Sequence, residues 1–411
     1  MAPLWHHDHP RSTYLRGWIA SGWHDGAMAC ERTGDARRRR WTLAAGLVTV
    51  LTLTACTPQD GPDDAAPTST PSSTTSAPLP SATPPPAPPA RRPVRIAVAG
   101  DIHFEGVLAD RLRDPATALT PAAAALRAAD VAVVNLETSV GTGGQPEAGK
   151  RFTFSAGPEA LDALAAAGVD VASMANNHAL DFGRARLPST LRAVEDAAPA
   201  LDVVGIGRTA RQAFRPALVE VSGTVVATLA ASVADQDPTA DPTGRWAATD
   251  DRPGVATALD PTRLLATVRR TDRRADIVVA YLHWGVQGQR CPSADQRSLA
   301  TRLVRAGADV VVGSHAHVVQ GDGRLGQGYV AYGLGNFAWY SPGTATTART
   351  GVLTLAVRPP RERAGRARVV RSSWWPARIG VDGLPSRVRG ADAEAFAAER
   401  RSLRSCAGLG G

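Results

Sequence analysis

The chain has 411 residues, of which 44% are hydrophobic, 5% aromatic and 20% charged, a balance that supports a sizeable folded core and excludes disorder throughout. Its formal net charge of +8 rests almost wholly on arginine, because Lys150 is the only lysine; with the abundant alanine this is the signature of a GC-rich genome and carries little functional weight by itself. The arginines from Arg358 to Arg371 are interleaved with Gly, Ala and Pro, without aromatic or helical spacing, which fits a solvated loop or hairpin edge and not a nucleic-acid surface.

From the N-terminus, Arg37 to Arg40 precede the apolar run Trp41 to Ala55, too short to span a bilayer but of the length of a signal-peptide core. The run ends in Leu53-Thr54-Ala55-Cys56, which resembles the lipobox of bacterial lipoproteins and implies acylation of Cys56 after cleavage. Signal peptides begin close to their basic cluster, so translation is expected to start at Met28, with residues 1–27 an extension and 28–56 the lipoprotein signal peptide. From 57 to 93 the composition turns to Pro, Ser, Thr and Ala, which cannot bury enough surface to offset ordering entropy; a disordered spacer is expected. Removal of Cys30 and acylation of Cys56 would leave one pair, Cys291 and Cys406, in an oxidising compartment, and we expect them to be bonded; two separate buried thiols are the alternative.

The folded domain is expected over 94–411. Val94, Ile96 and Val98 alternate ahead of Asp101 and His103. Val131 to Val134 leads into Asn135-Leu136-Glu137, and Val169 to Ser173 into Asn176-Asn177-His178-Ala179-Leu180-Asp181. Ile277 to Leu282 leads into His283-Trp284, and Val310 to Val312 into Gly313-Ser314-His315-Ala316-His317. Between these strands lie alanine-rich segments with helical spacing: Pro121 to Ala129, Glu159 to Ala167, Ala185 to Ala197, Pro261 to Arg274 and Ala294 to Ala306. The alternation predicts an α/β layered domain with ligands at the carboxyl ends of its strands. After Tyr340, Gly351 to Val357 and Arg368 to Ser373 read as strands, Trp374-Trp375-Pro376 as an edge or turn, and Ala391 to Arg404 as a closing helix.

Every histidine downstream of the signal segment (His103, His178, His283, His315 and His317) falls in a strand-end cluster beside Asp101, Glu137 and Asn177. A nitrogen and oxygen donor set without thiolate suits Mn, Fe, Zn or Mg, and its size suits two ions sharing a bridging carboxylate, the arrangement of metal-dependent hydrolysis. No glycine-rich phosphate loop and no serine-nucleophile elbow occurs, which argues against ATP-driven ligation by this chain alone.

Six ordered blocks, G-D-I-H-F at Gly100, V-N-L-E at Val134, A-N-N-H-A-L-D-F-G at Ala175, H-W-G at His283, G-S-H-A-H-V-V-Q-G at Gly313 and Y-G-L-G-N-F at Tyr332, resemble the bacterial CapA family of poly-γ-glutamate capsule synthesis, related to calcineurin-like metallophosphoesterases. The resemblance covers roughly residues 94 to 340 and implies a four-layer αββα metallophosphoesterase-like sandwich. It implies a first ion on Asp101, His103 and His317, a second on Asn177, His283 and His315, and Glu137 as the bridge. His178 would be the general acid or electrostatic stabiliser, with Asp181 either orienting its ring or capping the following helix. Asn176, Trp284, Gln320 and Asn336 are candidates for touching substrate or holding the ligands from behind, although Trp284 could equally pack in the core. The phosphoesterases usually carry aspartate where this chain has Glu137, which lengthens the bridge by one methylene. The implied function is a surface-anchored protein of capsule or envelope polymer synthesis or remodelling, with an anionic polymer or phosphoester as substrate, a lipid-anchored membrane location and capsule-synthesis membrane enzymes as partners, and no nucleic acid. The alternatives are an extracellular phosphoesterase on small or lipid-linked phosphates, and a non-catalytic polymer-binding scaffold.

Overall fold

The computed structural model describes residues 91–411 except 121, 235, 236, 238, 363 and 364; the signal segment, Cys56 and nearly all of the spacer lie outside the described residues. Two sheets carry the fold. The first runs in the order Pro385–Arg387, Arg368–Ile379, Arg349–Arg358, Val94–Ile102, Val131–Leu136, Val171–Ser173, Asp202–Val204, with Asn336–Ala338 pairing beside the end of Val94–Ile102. The second runs Asp322–Leu325, Gly328–Ala331, Val310–His315, Ile277–Trp284, Thr224–Val233, Ala217–Val221. In each sheet the strands that lead to the histidine clusters are parallel to one another; antiparallel strands close both edges of the second sheet and one edge of the first, whose other edge is the parallel strand Asp202–Val204.

Period-two alternation sorts the side chains of the second sheet's central strands between two apolar cores. Along Ile277–Trp284, Ile277, Val279 and Tyr281 join the core between the sheets, whereas Val278, Ala280, Leu282 and Trp284 join a second core beneath the helices Thr262–Asp272 and Ala294–Ala306. The helices Ala123–Arg127, Glu159–Ala166 and Gly183–Ala197 cover the outer face of the first sheet, so the layers stack as helix, sheet, sheet, helix. Both faces of the parallel strands are thereby dry, which explains their near-continuous Val, Ile and Ala. Tyr281 ties the two sheets together directly below the site, its hydroxyl donating to the Ala99 carbonyl at 2.8 Å.

Local signals match the elements they start. The helix Ala294–Ala306 opens with a capping box between Ser293 and Gln296 and buries Leu299, Ala300, Leu303 and Val304 on one stripe. Cys291, just before it, is disulfide-bonded to Cys406 in the terminal helix Gly390–Ala407. Trp374-Trp375-Pro376 does not turn: the strand continues to Ile379, and the outer strand Pro385–Arg387 pairs only from Ala377 onward. That leaves Pro376, which has no N–H, with nothing to donate on the open side. Among the described residues no helix is long and apolar enough to cross a membrane.

Candidate metal centre

Five strand ends converge at one edge of the sandwich. The alternation that sends Trp284 to the helix side sends His283 to the space between the sheets, where it is fully buried. Asp101 at the end of the first strand is likewise buried, and its Oδ1 accepts from Asn135 Nδ2 at 2.8 Å while its Oδ2 accepts from the His315 backbone N–H at 3.2 Å. Gly100 is required for this closeness, because a Cβ there would stand 1.7 Å from the Gly335 carbonyl oxygen.

His315 ends the Val310–His315 strand and His317 lies two residues on, with φ of +88° and +56°, left-handed values that non-glycine residues rarely adopt. Such backbone persists only where surrounding contacts over-determine it, and here it turns both imidazoles inward. His315 Nδ1 lies 3.1 Å from His283 Nε2, His317 Nδ1 lies 3.4 Å from Asp101 Oδ2, and Asn336 Oδ1 sits 2.8 Å from His317 Nδ1. Asn177 Oδ1 approaches His283 Nε2 to 2.6 Å.

Glu137 occupies the middle. Its carboxylate is completely buried, neither oxygen has a hydrogen-bond donor, and His283 Nε2 and His178 Nε2 lie 3.4 and 3.7 Å from Oε1. Burial and the Asp101 charge push its carboxyl well above the usual range. Burial also pushes Asp101 upward, but His317, His283 and Ser314 outweigh it and hold that carboxyl below the usual range. Burial keeps His315 well below its ordinary value and His283 at about 3, so their ring nitrogens present lone pairs. A buried, donor-free carboxylate ringed by neutral imidazoles is a poor apolar core and a good cation cradle. Two ligand groups meet there: Glu137 with His315 and His317, and Glu137 with Asp101 and His283, each with donor atoms within 4.8 Å of one another. Glu137 is common to both.

A family model described as bacterial capsule synthesis protein PGA_cap matches residues 95–341. The chain belongs to this family. Its similar curated relatives are the capsule biosynthesis protein CapA of Bacillus anthracis, 34% identical over 49% of this chain and 47% of that one, and the PGA biosynthesis protein CapA of Bacillus subtilis, 32% identical over 54% and 56%. A probable polyglutamine synthesis accessory protein of Mycobacterium tuberculosis is 34% identical over 46% and 50%. The chain spans about half the length of the curated relatives it matches. The crystal structure of a novel phosphatase from Mycoplasma pneumoniae aligns with a TM-score of 0.42 and 11% identity over 69% of this chain and 93% of that one.

The other expected residues of this PGA_cap member distribute unevenly. His103 is buried beside the centre but belongs to neither ligand group: its ring stacks on Phe154 at 4.6 Å, and its nitrogens face the backbone N–H groups of Glu105 and Tyr340. The two groups also cut across the implied division of ligands, pairing His315 with His317 and Asp101 with His283. His178 stacks on the other face of Phe154 at 4.1 Å, and its Nδ1 lies 2.5 Å from Asp181 Oδ2. Asp181 does not cap the helix Gly183–Ala197; its carboxylate also accepts the Phe154 N–H at 2.7 Å. Asn176 braces the loop by donating to Asn135 Oδ1 and the Leu136 carbonyl.

Trp284 and Gln320 stand away from the histidines. Trp284 packs in the helix-side core with its Nε1 donating to the Tyr332 carbonyl at 2.8 Å, a placement set by strand parity. Gln320 joins loops, accepting from Gln296 and donating to the Gln289 carbonyl. Sequence reasoning passed over Asn135, Lys150, Phe154, Asp237 and Ser314. Lys150 Nζ reaches the Asn177 carbonyl and lies 3.1 Å from Asp181 Oδ1; Asp237 Oδ2 accepts from Asn177 Nδ2 at 3.2 Å; Ser314 Oγ lies 3.1 Å from His283 Nδ1. Lys150 was detectable as the one lysine among arginines, and Asn135 and Ser314 as the polar members of blocks already chosen. Nothing in the sequence singles out Phe154 or Asp237.

Proposed function

We propose that the chain is a lipid-anchored metal-dependent hydrolase of the bacterial surface, acting in the synthesis, release or remodelling of an anionic envelope polymer of the poly-γ-glutamate type. The observation that carries the reading is the Glu137 carboxylate, donor-free and shared by two ligand groups. Asp101, His283, His315, His317 and Asn177 would share two ions with it, and His103 would join them by turning its ring. Bound divalent cations activate a water and neutralise charge at a scissile phosphoryl or acyl group.

The chain's own residues set the rest. Asn135 and the His315 N–H fix both oxygens of Asp101. Asp181 holds the His178 ring by Nδ1 and so leaves Nε2 aimed at the centre, placed to exchange a proton with a leaving group. The stacked His103, Phe154 and His178 rings, with the Trp339 edge against His103 at 4.2 Å, keep that side dry. Acylation of Cys56, inferred from its sequence alone, would keep the domain at the membrane beside polymer-synthesising enzymes.

The test is elemental analysis of the chain purified without chelator, beside a His315→Ala, His317→Ala variant. About two divalent ions per chain, lost in the variant and accompanied by turnover of γ-glutamyl or phosphoester substrates, is the expected result. A folded protein that stays metal-free when Mn, Fe and Zn are offered would overturn the hydrolase and favour the scaffold reading. Turnover confined to small phosphodiesters, with envelope polymer unchanged in a deletion strain, would favour the phosphoesterase.

A further inference from the structure

Away from the metal centre, a cavity of 820 Å³ opens between the segment Arg208–Leu218 and the helix Thr262–Asp272 with its following turn. Six arginines line it: Arg208, Arg211 and Arg215 on one wall, Arg263, Arg270 and Arg274 on the other, all exposed. Glu195 neutralises Arg208 and Asp250 neutralises Arg263, at 2.9 and 3.0 Å. Among the described residues, Arg211, Arg215, Arg270 and Arg274 have no carboxylate within ion-pair distance. Arg215 feels Asp202 beyond contact distance, and Arg270 donates to Thr267 Oγ1 at 2.8 Å near the C-terminus of its helix, but no carboxylate closes on any of the four, so the groove keeps an excess of positive charge. The long apolar stem of arginine and the exposed Leu218 give the walls an amphipathic character.

We propose that this groove is a docking site for an extended polycarboxylate chain, separate from the metal centre. The spacing selects a chain over a single small anion. Arg263 and Arg270 are one helical stripe seven residues apart, about 10 Å along the axis, with Arg274 one further turn on. One carboxylate engages one guanidinium fork, so occupying both walls takes an anion that repeats. Concavity selects a chain over a flat lipid surface, whose headgroups would reach only the rim. The buried Phe214, 6% exposed, offers no face for base stacking, which disfavours single-stranded nucleic acid. The groove itself rests on its arginines; only the choice of carboxylate over another repeating anion rests on the envelope-polymer reading. Arg274 stands just before the Ile277–Trp284 strand whose far end carries His283, so the groove would hold the polymer about 20 Å from the metal centre and keep other segments of the same chain concentrated there, an effective-concentration gain.

Fluorescence anisotropy of the full chain with labelled poly-L-glutamate of roughly 30 residues tests this, with poly-L-glutamine as the neutral control. Arg270→Glu with Arg274→Glu should weaken binding at least about tenfold, and Arg270→Gln with Arg274→Gln by a smaller factor, whereas Arg368→Glu with Arg371→Glu, an equal charge change on the exposed hairpin, should change it less than about twofold. Thermal melts matching the parent protein keep the comparison fair. Asp101→Ala should leave affinity intact. Equal losses in the groove and hairpin variants would overturn the proposal as non-specific attraction, and phosphatidylglycerol vesicles binding in a groove-dependent way while the polymer does not would replace it with a membrane contact. Loss in Asp101→Ala with retention in the groove variants would place the polymer at the metal centre, ending this proposal while leaving the hydrolase reading standing. Groove-dependent binding by a protein that takes up no metal would do the reverse.

Discussion

Lys150 Nζ lies 3.1 Å from Asp181 Oδ1, with the lysine side chain 1% exposed and the aspartate fully buried. The ammonium also stands 4.9 Å over the Trp246 ring and reaches the Asn177 carbonyl, so the only lysine of the chain neutralises the carboxylate that holds His178. Burial, helped by the Asp237 charge, drives the Asp181 carboxyl upward, and even with Lys150 and the Phe154 N–H opposing, it stands at about 7. Lys150→Met removes the opposing charge, so Asp181 keeps a proton near neutral pH, and that caps the loss below the roughly 3–5 kcal/mol of a buried pair broken with its charge left in place. The measurement is a urea-unfolding cycle of Lys150→Met, Asp181→Asn and the double variant. The double variant should be less destabilised than the summed singles by more than about 1 kcal/mol; additivity would mean that the two groups do not interact.

Glu137 predicts a change of sign. Without cations its buried carboxylate faces the Asp101 charge and no donor, so Glu137→Gln should raise stability in chelator by about 1–2 kcal/mol. With Mn or Zn offered, the same substitution removes the donor common to both ligand groups, and the order should invert, with less metal retained per chain. Melting temperatures of both proteins with and without chelator decide this. A variant less stable in both conditions would show that Glu137 is structural.

The parts of the fold legible in the sequence were those that depend on local period. The end of Ile277–Trp284 illustrates it: two-residue alternation places His283 between the sheets and Trp284 among helix-side apolar residues, and only the absence of a known strand phase left Trp284 open. The five polar clusters were legible because each terminates an apolar run, and the structure brings them to one edge. Phe154 and Asp237 were not legible, because their roles arise from long-range approach: Phe154 slots between His103 and His178, and Asp237 meets Asn177 across sixty residues of sequence. The left-handed backbone at His315 and His317 was equally hidden, since neither is glycine or asparagine.

The Cys291–Cys406 bond closes a separation of 115 residues and fastens the terminal helix beside the capping box of Ala294–Ala306. In the chain-entropy account a loop of that size is worth roughly 4–5 kcal/mol. Titration of unfolded, unreduced protein should detect neither thiol. Cys406→Ser should lower the urea midpoint while leaving the metal content unchanged, because neither cysteine touches a ligand; coupled loss of metal would show that the terminal helix supports the centre.

Asp309 supplies a pH signature independent of the metal. Its Oδ2 accepts the Val278 N–H at 2.9 Å and its Oδ1 accepts Arg366 Nε at 3.1 Å, yet it is almost fully buried at the base of the second sheet. Burial dominates these contacts and pushes its carboxyl up to about 6, from 3.8. A raised value means that the folded protein keeps the proton longer than the unfolded chain does. Stability from this group is therefore complete below about pH 4 and is lost as pH rises through about 6, by roughly 3 kcal/mol at most. Asp309→Asn cannot ionise but can still accept the Val278 N–H through its amide oxygen. The stability of the parent protein relative to this variant should accordingly fall between pH 4 and pH 7 and then level off, as read by urea unfolding at fixed ionic strength. A difference that instead grew with pH would mean that the Arg366 ion pair outweighs burial and holds Asp309 ionised.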